Sequence, residues 1–420
     1  MTSILTLPWG VFGEAQYNQW TVDGSIADEV FSALPLRSLR LCGFRVMHLM
    51  HRRDAENAEV AQSLTLRDFA IRVNVCYLTN TLIMKTLFLT LLLLACSSVV
   101  PKSGSTIKAD DDFTLVKVAD GVYAAVAKSG GLASGNAGFI VGDDGVLVVD
   151  TFFTPQAAEE LIDSIGTETK QPIKYALNTH YHLDHSGGNQ VFAGRSIPII
   201  AHDNVMLWQT TKNRRFLPVP EELQKRRADV AKQLSEVPSD QTDKRAQLER
   251  QLHRIDAMLT IKLTNPTVTF STGTVHLHLG QREVVLFTLP GHTGGDILAY
   301  VPDANVVFTG DMGWRKTLPN LVDATVNDWI TSLDTLLKDH PNAKFVPGHG
   351  EVATAEDVRE FRDYLDDLRS RVKQAITAGL TIDQAKQQLK LPEKYKAFAF
   401  QNFATPNVED MYKELKGTKN

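Results

Sequence analysis

Cysteine is scarce: Cys42, Cys76 and Cys96 are the three in 420 residues, and none follows residue 96. The chain beyond that point therefore has neither a disulfide nor a thiolate to offer a metal, so metal chemistry there falls to histidine and carboxylate. A basic excess is also lacking. Lysine and arginine number 44 against 49 acids, a net charge of −5, which argues against a general nucleic-acid footprint. The most apolar run, inside Met84–Cys96, is too short to cross a bilayer comfortably. What remains, 43% hydrophobic and 22% charged, is ordinary for a soluble globular protein with room for two or three domains.

What is there centres on Thr179-His180-Tyr181-His182-Leu183-Asp184-His185-Ser186-Gly187-Gly188-Asn189, read as a loop following a short buried strand at 172–178. Chemistry collects at strand ends in α/β proteins. Imidazole and carboxylate suit zinc, and His180 and His182 can reach one ion if the backbone between them is extended or turned. Asp184 and His185 then point elsewhere, and a fourth donor within six residues suggests a second metal nearby. Three later stretches repeat the pattern of an apolar run, glycine and a donor: around His292, Asp311 and His349.

From about Phe113 to His349 the chain resembles the metallo-β-lactamase superfamily, through its His-x-His-x-Asp-His signature followed in order by His, Asp and His. The resemblance implies an α/β fold, an αββα sandwich. It also implies two Zn2+ ions, one held by His180, His182 and His292, the other by Asp184, His185 and His349, with Asp311 bridging. Asp184 and Asp311 would be the catalytic carboxylates beside a zinc-activated hydroxide, and the substrate a small carbonyl compound: β-lactam, lactone, ester or thioester. Asp311 stands where one β-lactamase subclass carries cysteine, which favours lactones and thioesters. Two rivals in the same superfamily are a phosphodiester hydrolase and a di-iron oxidoreductase, although the latter pattern has glutamate where this chain has His182.

Around that site the periodicity predicts strands at 113–118 and 122–126 joined by Asp120-Gly121, strands at 136–141 and 146–150, and a helix capped by Thr154 with Pro155 at its first position. Asp150 either steadies the metal loop from behind, as in the resembled family, or starts a turn. Asp203 is expected to cap a helix through Trp208. Residues 212–262 read as a helical insertion, either a lid over the metals or a surface pair, broken near Pro238. Trp314 and Arg315 either line the substrate pocket, Arg315 facing a carboxylate, or pack and solvate. Helices fill 354–420, with Thr381 and Gln384 forming a capping box. The catalytic domain is thus expected over 113–353.

Met84–Cys96 reads as a secretory signal whose Leu93-Leu94-Ala95-Cys96 ending resembles a bacterial lipoprotein box, implying export to the cell envelope or periplasm, with lipid anchoring on Cys96 or ordinary cleavage nearby. Residues 1–83, with seven arginines and no lysine, read as non-native sequence or a disordered extension, and 97–112 as a tether.

Overall fold

The computed structural model describes residues 112–217 and 219–419. The readings of 1–83, the signal segment and the tether up to residue 111 lie outside the described residues.

Twelve strands, among the described residues, form two sheets. The first contains β1 (Phe113–Ala119), β2 (Val122–Ala127), β3 (Ala137–Val141), β4 (Val146–Val149), β5 (Ile173–Leu177), β6 (Ile199–His202) and β7 (Val268–Phe270), in that spatial order. Its first half is an antiparallel meander, and β4 to β7 run parallel. The second holds β8 (Thr274–Leu279), β9 (Arg282–Thr288), β10 (Ile297–Val301), β11 (Val306–Trp314) and β12 (Lys344–His349), antiparallel except for the parallel β11–β12 pair.

Alternation decides which face of each strand is buried between the sheets. Val122, Ala124, Ile140, Leu147, Val149 and Leu177 of the first sheet meet Leu279, Leu286, Ile297, Ala299 and Phe308 of the second. Parallel strands need crossovers, and these supply the outer layers. On the first sheet lie α1 (Pro155–Glu168), the short α2 (Leu183–Ser186) and α3 (Asn189–Gly194), with α4 (Asp203–Trp208) following β6. The face of α1 formed by Ala158, Leu161 and Ile165 packs on Phe139, Val146 and Val148. Thr154 caps α1 as expected, accepting from the amide of Ala157. After α5 (Pro220–Glu236) and α6 (Thr242–Leu259) come α7 (Val326–Asp339), α8 (Ala355–Thr377), α9 (Ile382–Gln388) and α10 (Ala404–Leu415). Trp329 of α7, Phe361 and Leu365 of α8 and Met411 of α10 close over the second sheet around Val307 and Phe345. The four layers are helix, sheet, sheet and helix, the expected sandwich with its helical insertion and C-terminal helices.

Three local expectations need correction. The metal-rich stretch is not all loop: Leu183–Ser186 winds into a helical turn, because Ser186 Oγ donates to the carbonyls of Tyr181 and His182 and draws the chain round. The cap of α4 is His202, whose Nδ1 accepts from the Asn204 amide; Asp203 is turned toward Thr269 and Ser271 instead. Finally, β11 does not stop before Asp311 but continues to Trp314, with register breaks either side of Gly310 that re-aim its side chains.

Candidate metal centre

The parallel pairs β4–β5 and β11–β12 place their carboxyl ends at one edge of the sandwich, and the donors arrive there on separate elements. Asp150 follows β4, His180 and His182 follow β5, Asp184 and His185 lie in α2, His292 sits between β9 and β10, Asp311 is in β11 and His349 ends β12. A buried amide network fixes the β5 exit. Asn178 and Asn189 exchange hydrogen bonds at 2.9 and 2.8 Å, and Thr151 Oγ1 donates to Asn189 Oδ1 at 2.9 Å. At Gly348 close approach excludes a side chain, since a Cβ would land on Asp311 Oδ1.

The seven side chains fall into two adjoining groups whose donor atoms lie within 4.8 Å of one another: His180, His182, His292 and Asp311, then Asp184, His185 and His349. Asp311 faces both. Its Oδ2 lies 3.3 Å from His292 Nε2 and 3.8 Å from His180 Nε2, while its Oδ1 lies 3.1 Å from His185 Nε2 and 3.5 Å from His349 Nε2. His292 Nε2 is 3.0 Å from His182 Nδ1, and His349 Nε2 is 3.3 Å from Asp184 Oδ2. His180 Nε2, His185 Nε2 and Asp311 Oδ1 are buried without a hydrogen-bond partner. Orphaned polar atoms of that kind are costly unless something shared satisfies them. Nitrogen and oxygen donors converging from several sides are a donor set that fits metal cations.

Two of the rings, His185 and His182, are also held on their opposite side by carboxylates. His185 Nδ1 lies 2.8 Å from Asp150 Oδ2, and Asp150 is itself fixed by the amide and hydroxyl of Thr179, both at 2.8 Å. Asp150 adopts φ +61°, a left-handed conformation uncommon for a non-glycine residue and tolerated here by those bonds. His182 Nε2 lies 3.2 Å from Asp323 Oδ2, which also accepts from Tyr181 Oη and Arg215. Such carboxylates fix which nitrogen of a ring is free for a metal.

Burial sets the protonation states. It holds His180 well below the ordinary histidine range, helped by the neighbouring rings, and takes His292 down to about 3, so both present lone pairs. Burial would raise Asp184 and Asp311, but the surrounding histidines outweigh it and keep both below the usual carboxylate range. For His185 burial works downward, but Asp311, Asp184 and Asp150 push it well above the normal value.

A cavity of about 320 Å³ opens onto the group, reached by Asp184, Asp311, His182 and His349. Trp314 lines it, stacked on His349 at 4.2 Å with its indole N–H donating to the Asp311 carbonyl. Arg315 does not line it. Its guanidinium turns to Asp357 at 3.1 Å, to Glu351 and to the Val352 carbonyl, because the acid at the start of α8 is nearer than the cavity, so the reading of Arg315 as a partner for a substrate carboxylate is corrected. Sequence reasoning overlooked Tyr181, although it stands between His180 and His182, and Asp323, Arg215 and Phe400, which only folding brings to the site.

A family model described as "Metallo-beta-lactamase superfamily" matches residues 130–349. The metallo-beta-lactamase type 2 of Bacillus cereus is 24% identical over 213 residues, covering 50% of this chain and 64% of that protein. The linear primary-alkylsulfatase of Pseudomonas sp. (strain ATCC 19151) is 24% identical over 290 residues, covering 65% of this chain and 52% of that one. The matches thus span between about half and two thirds of these relatives' own length. Among solved structures, a metallo-beta-lactamase from Pontibacter korlensis aligns with a TM-score of 0.45 at 18% identity, over 61% of this chain and 99% of that one.

Proposed function

The chain belongs to the metallo-beta-lactamase superfamily, and from that premise we propose that it is a two-zinc hydrolase of small carbonyl substrates: a β-lactam, lactone, ester or thioester. The observation that carries the reading is the division of the Asp311 carboxylate, one oxygen toward each histidine group, with unpartnered donors around it. His180, His182 and His292 would hold one ion, Asp184, His185 and His349 the other, and Asp311 both. When bound, the two ions would supply Lewis acidity toward the carbonyl and a water acidic enough to ionise near neutral pH.

The chain's own residues do the rest. Asp150 and Asp323 are positioning residues that keep His185 and His182 in one tautomer and one orientation. Asp184 is the carboxylate with an open side, its side chain 26% exposed to the cavity against 3% for Asp311. It is therefore the group placed to take a proton at its oxygen during attack and return it to the leaving group. Trp314 covers His349 and keeps bulk water from that flank. Residues 84–96, read as an export signal ending either in lipid anchoring on Cys96 or in ordinary cleavage nearby, would place the enzyme in the cell envelope, where β-lactams act.

The test is a panel comprising a chromogenic cephalosporin, a lactone, an aryl ester and a thioester, assayed with the zinc-loaded full chain, with and without chelator, and with Asp184→Asn. At least one substrate should show chelator-sensitive turnover that Asp184→Asn abolishes while the circular dichroism spectrum stays native. Turnover by Asp184→Asn at near wild-type rate would remove the role given to Asp184, and redox activity with bound iron would replace the zinc reading.

A further inference from the structure

The cavity wall beyond the metal-binding side chains is uncharged and mostly apolar: Phe153, Leu183, Phe216, Trp314, Phe400 and Phe403, with Ser134, Asn320 and Asn402 as its other polar members. Among the described residues lining it there is no lysine or arginine. The cations next in sequence to lining residues are engaged elsewhere, Arg215 with Asp323 and Arg315 with Asp357 and Glu351. A substrate carboxylate on this wall would lose hydration without gaining a counter-charge, whereas an alkyl or aryl group would gain by leaving water.

Phe400 is the telling residue. It holds φ +57°, the left-handed region that a bulky side chain rarely adopts, yet the residue remains 40% exposed. Its own burial is therefore small recompense for the strain. The backbone is nonetheless pinned. Ala399 bridges Thr317, its amide donating to the Lys316 carbonyl at 2.8 Å and its carbonyl accepting from Leu318 at 3.0 Å, and Gln401 Nε2 donates to the carbonyls of Phe398 and Tyr395. The result aims the ring at the cavity, edge-on to His349 at 5.4 Å and to Trp314 at 6.2 Å, with Phe403 behind it at 6.3 Å. Strain maintained by surrounding structure at a cavity mouth points to a ligand-facing role.

We infer that the segment Phe400–Phe403 completes an aromatic wall selecting substrates whose arm, beyond the reacting carbonyl, is uncharged and apolar, so that neutral alkyl or aryl esters, lactones or thioesters are preferred over carboxylate-bearing ones such as β-lactams. This rests on the hydrolase reading for the reacting carbonyl, but the wall itself does not. The experiment compares 4-nitrophenyl hexanoate with 4-nitrophenyl hydrogen adipate, equal in chain length and differing in a terminal methyl against a carboxylate, on the zinc-loaded full chain. The neutral ester should lead by about tenfold or more in kcat/KM, and Phe400→Gly, which suits the left-handed backbone and so spares the fold, should bring the ratio toward unity while Phe400→Leu restores part of it. In parallel, saturation-transfer NMR should show hexanamide binding to the metal-free chain, and Phe400→Gly should weaken it. Turnover of both esters with no preference, or a preference unchanged in Phe400→Gly, overturns the inference and leaves the hydrolase reading standing. Binding of hexanamide through Phe400 with neither ester hydrolysed supports the apolar wall while removing aryl esters from the substrates of the hydrolase reading, and neither binding nor turnover overturns the inference.

Discussion

Asp311 depends on residues that leave it no freedom: the histidines on both sides of its carboxylate and, at Gly348, a neighbour without a side chain. Two of the histidines, His182 and His185, depend in the same way on carboxylates behind them. Asp323→Ala should weaken metal binding at the group containing His182 by roughly 10- to 100-fold, and Asp150→Ala should do so at the group containing His185, both read by competition with a chromophoric chelator. Unchanged affinity in either variant would reduce that aspartate to a packing role. Asp296 titrates differently. Burial raises it to about 8 although Thr293 donates to it from both amide and hydroxyl. The native chain thus keeps a proton that the unfolded chain loses above its ordinary value of 3.8, so this group makes stability fall as pH rises from about 4 to 8. Asp296→Asn should flatten that decline in a series of thermal melts, and an unaltered slope would contradict the assignment. At this scale the donors stand out in sequence by glycine and apolar context, and Asp150 by ending a strand. Asp323 lies between Val322 and Ala324 with no such mark, and its meeting with His182 spans 141 positions.

The insertion is an element with a core of its own. Leu223 and Val230 of α5 meet Leu248 and Ile255 of α6, tied to the body by Ala257 against α1 and by Arg254 donating to the Gly131 carbonyl. Because that cluster is separate, Leu248→Ala should cost the arm about 2–5 kcal/mol, seen as faster amide exchange across 220–259 with the sheets still protected. Equal acceleration in β4 and β5 would instead make the arm part of the main cooperative unit. Helical spacing and the Pro238 break made this hairpin legible, just as Thr381 and Gln384 announced the capping box that the structure contains. The turn of α2 was not legible, since one turn has no period to read and rests on Ser186 bonding back to two carbonyls. Neither was the course of β11 past Asp311, because glycines at 310 and 313 read as a strand's end.

For the whole molecule, the order of strands and helices already specified two sheets between helical layers, because alternation and parallel crossovers admit few other arrangements. What sequence order could not specify is that the far C-terminal segment returns to the site. Phe400 lies 51 residues beyond His349 and packs against it, with the aromatic residues of α8 between them in the chain. The sandwich brings one edge of each sheet to the metal group, and the segment Phe400–Phe403, ahead of the last helix, supplies part of its outer wall.

The most direct measurement is a zinc titration of the chelator-stripped full chain, following hydrolysis of a chromogenic ester or cephalosporin on which the metal-loaded protein acts. Activity should be absent at first, rise with added zinc and reach its plateau at two equivalents per chain. Turnover that survives stripping, or that never appears with two equivalents bound, would contradict a two-zinc hydrolase.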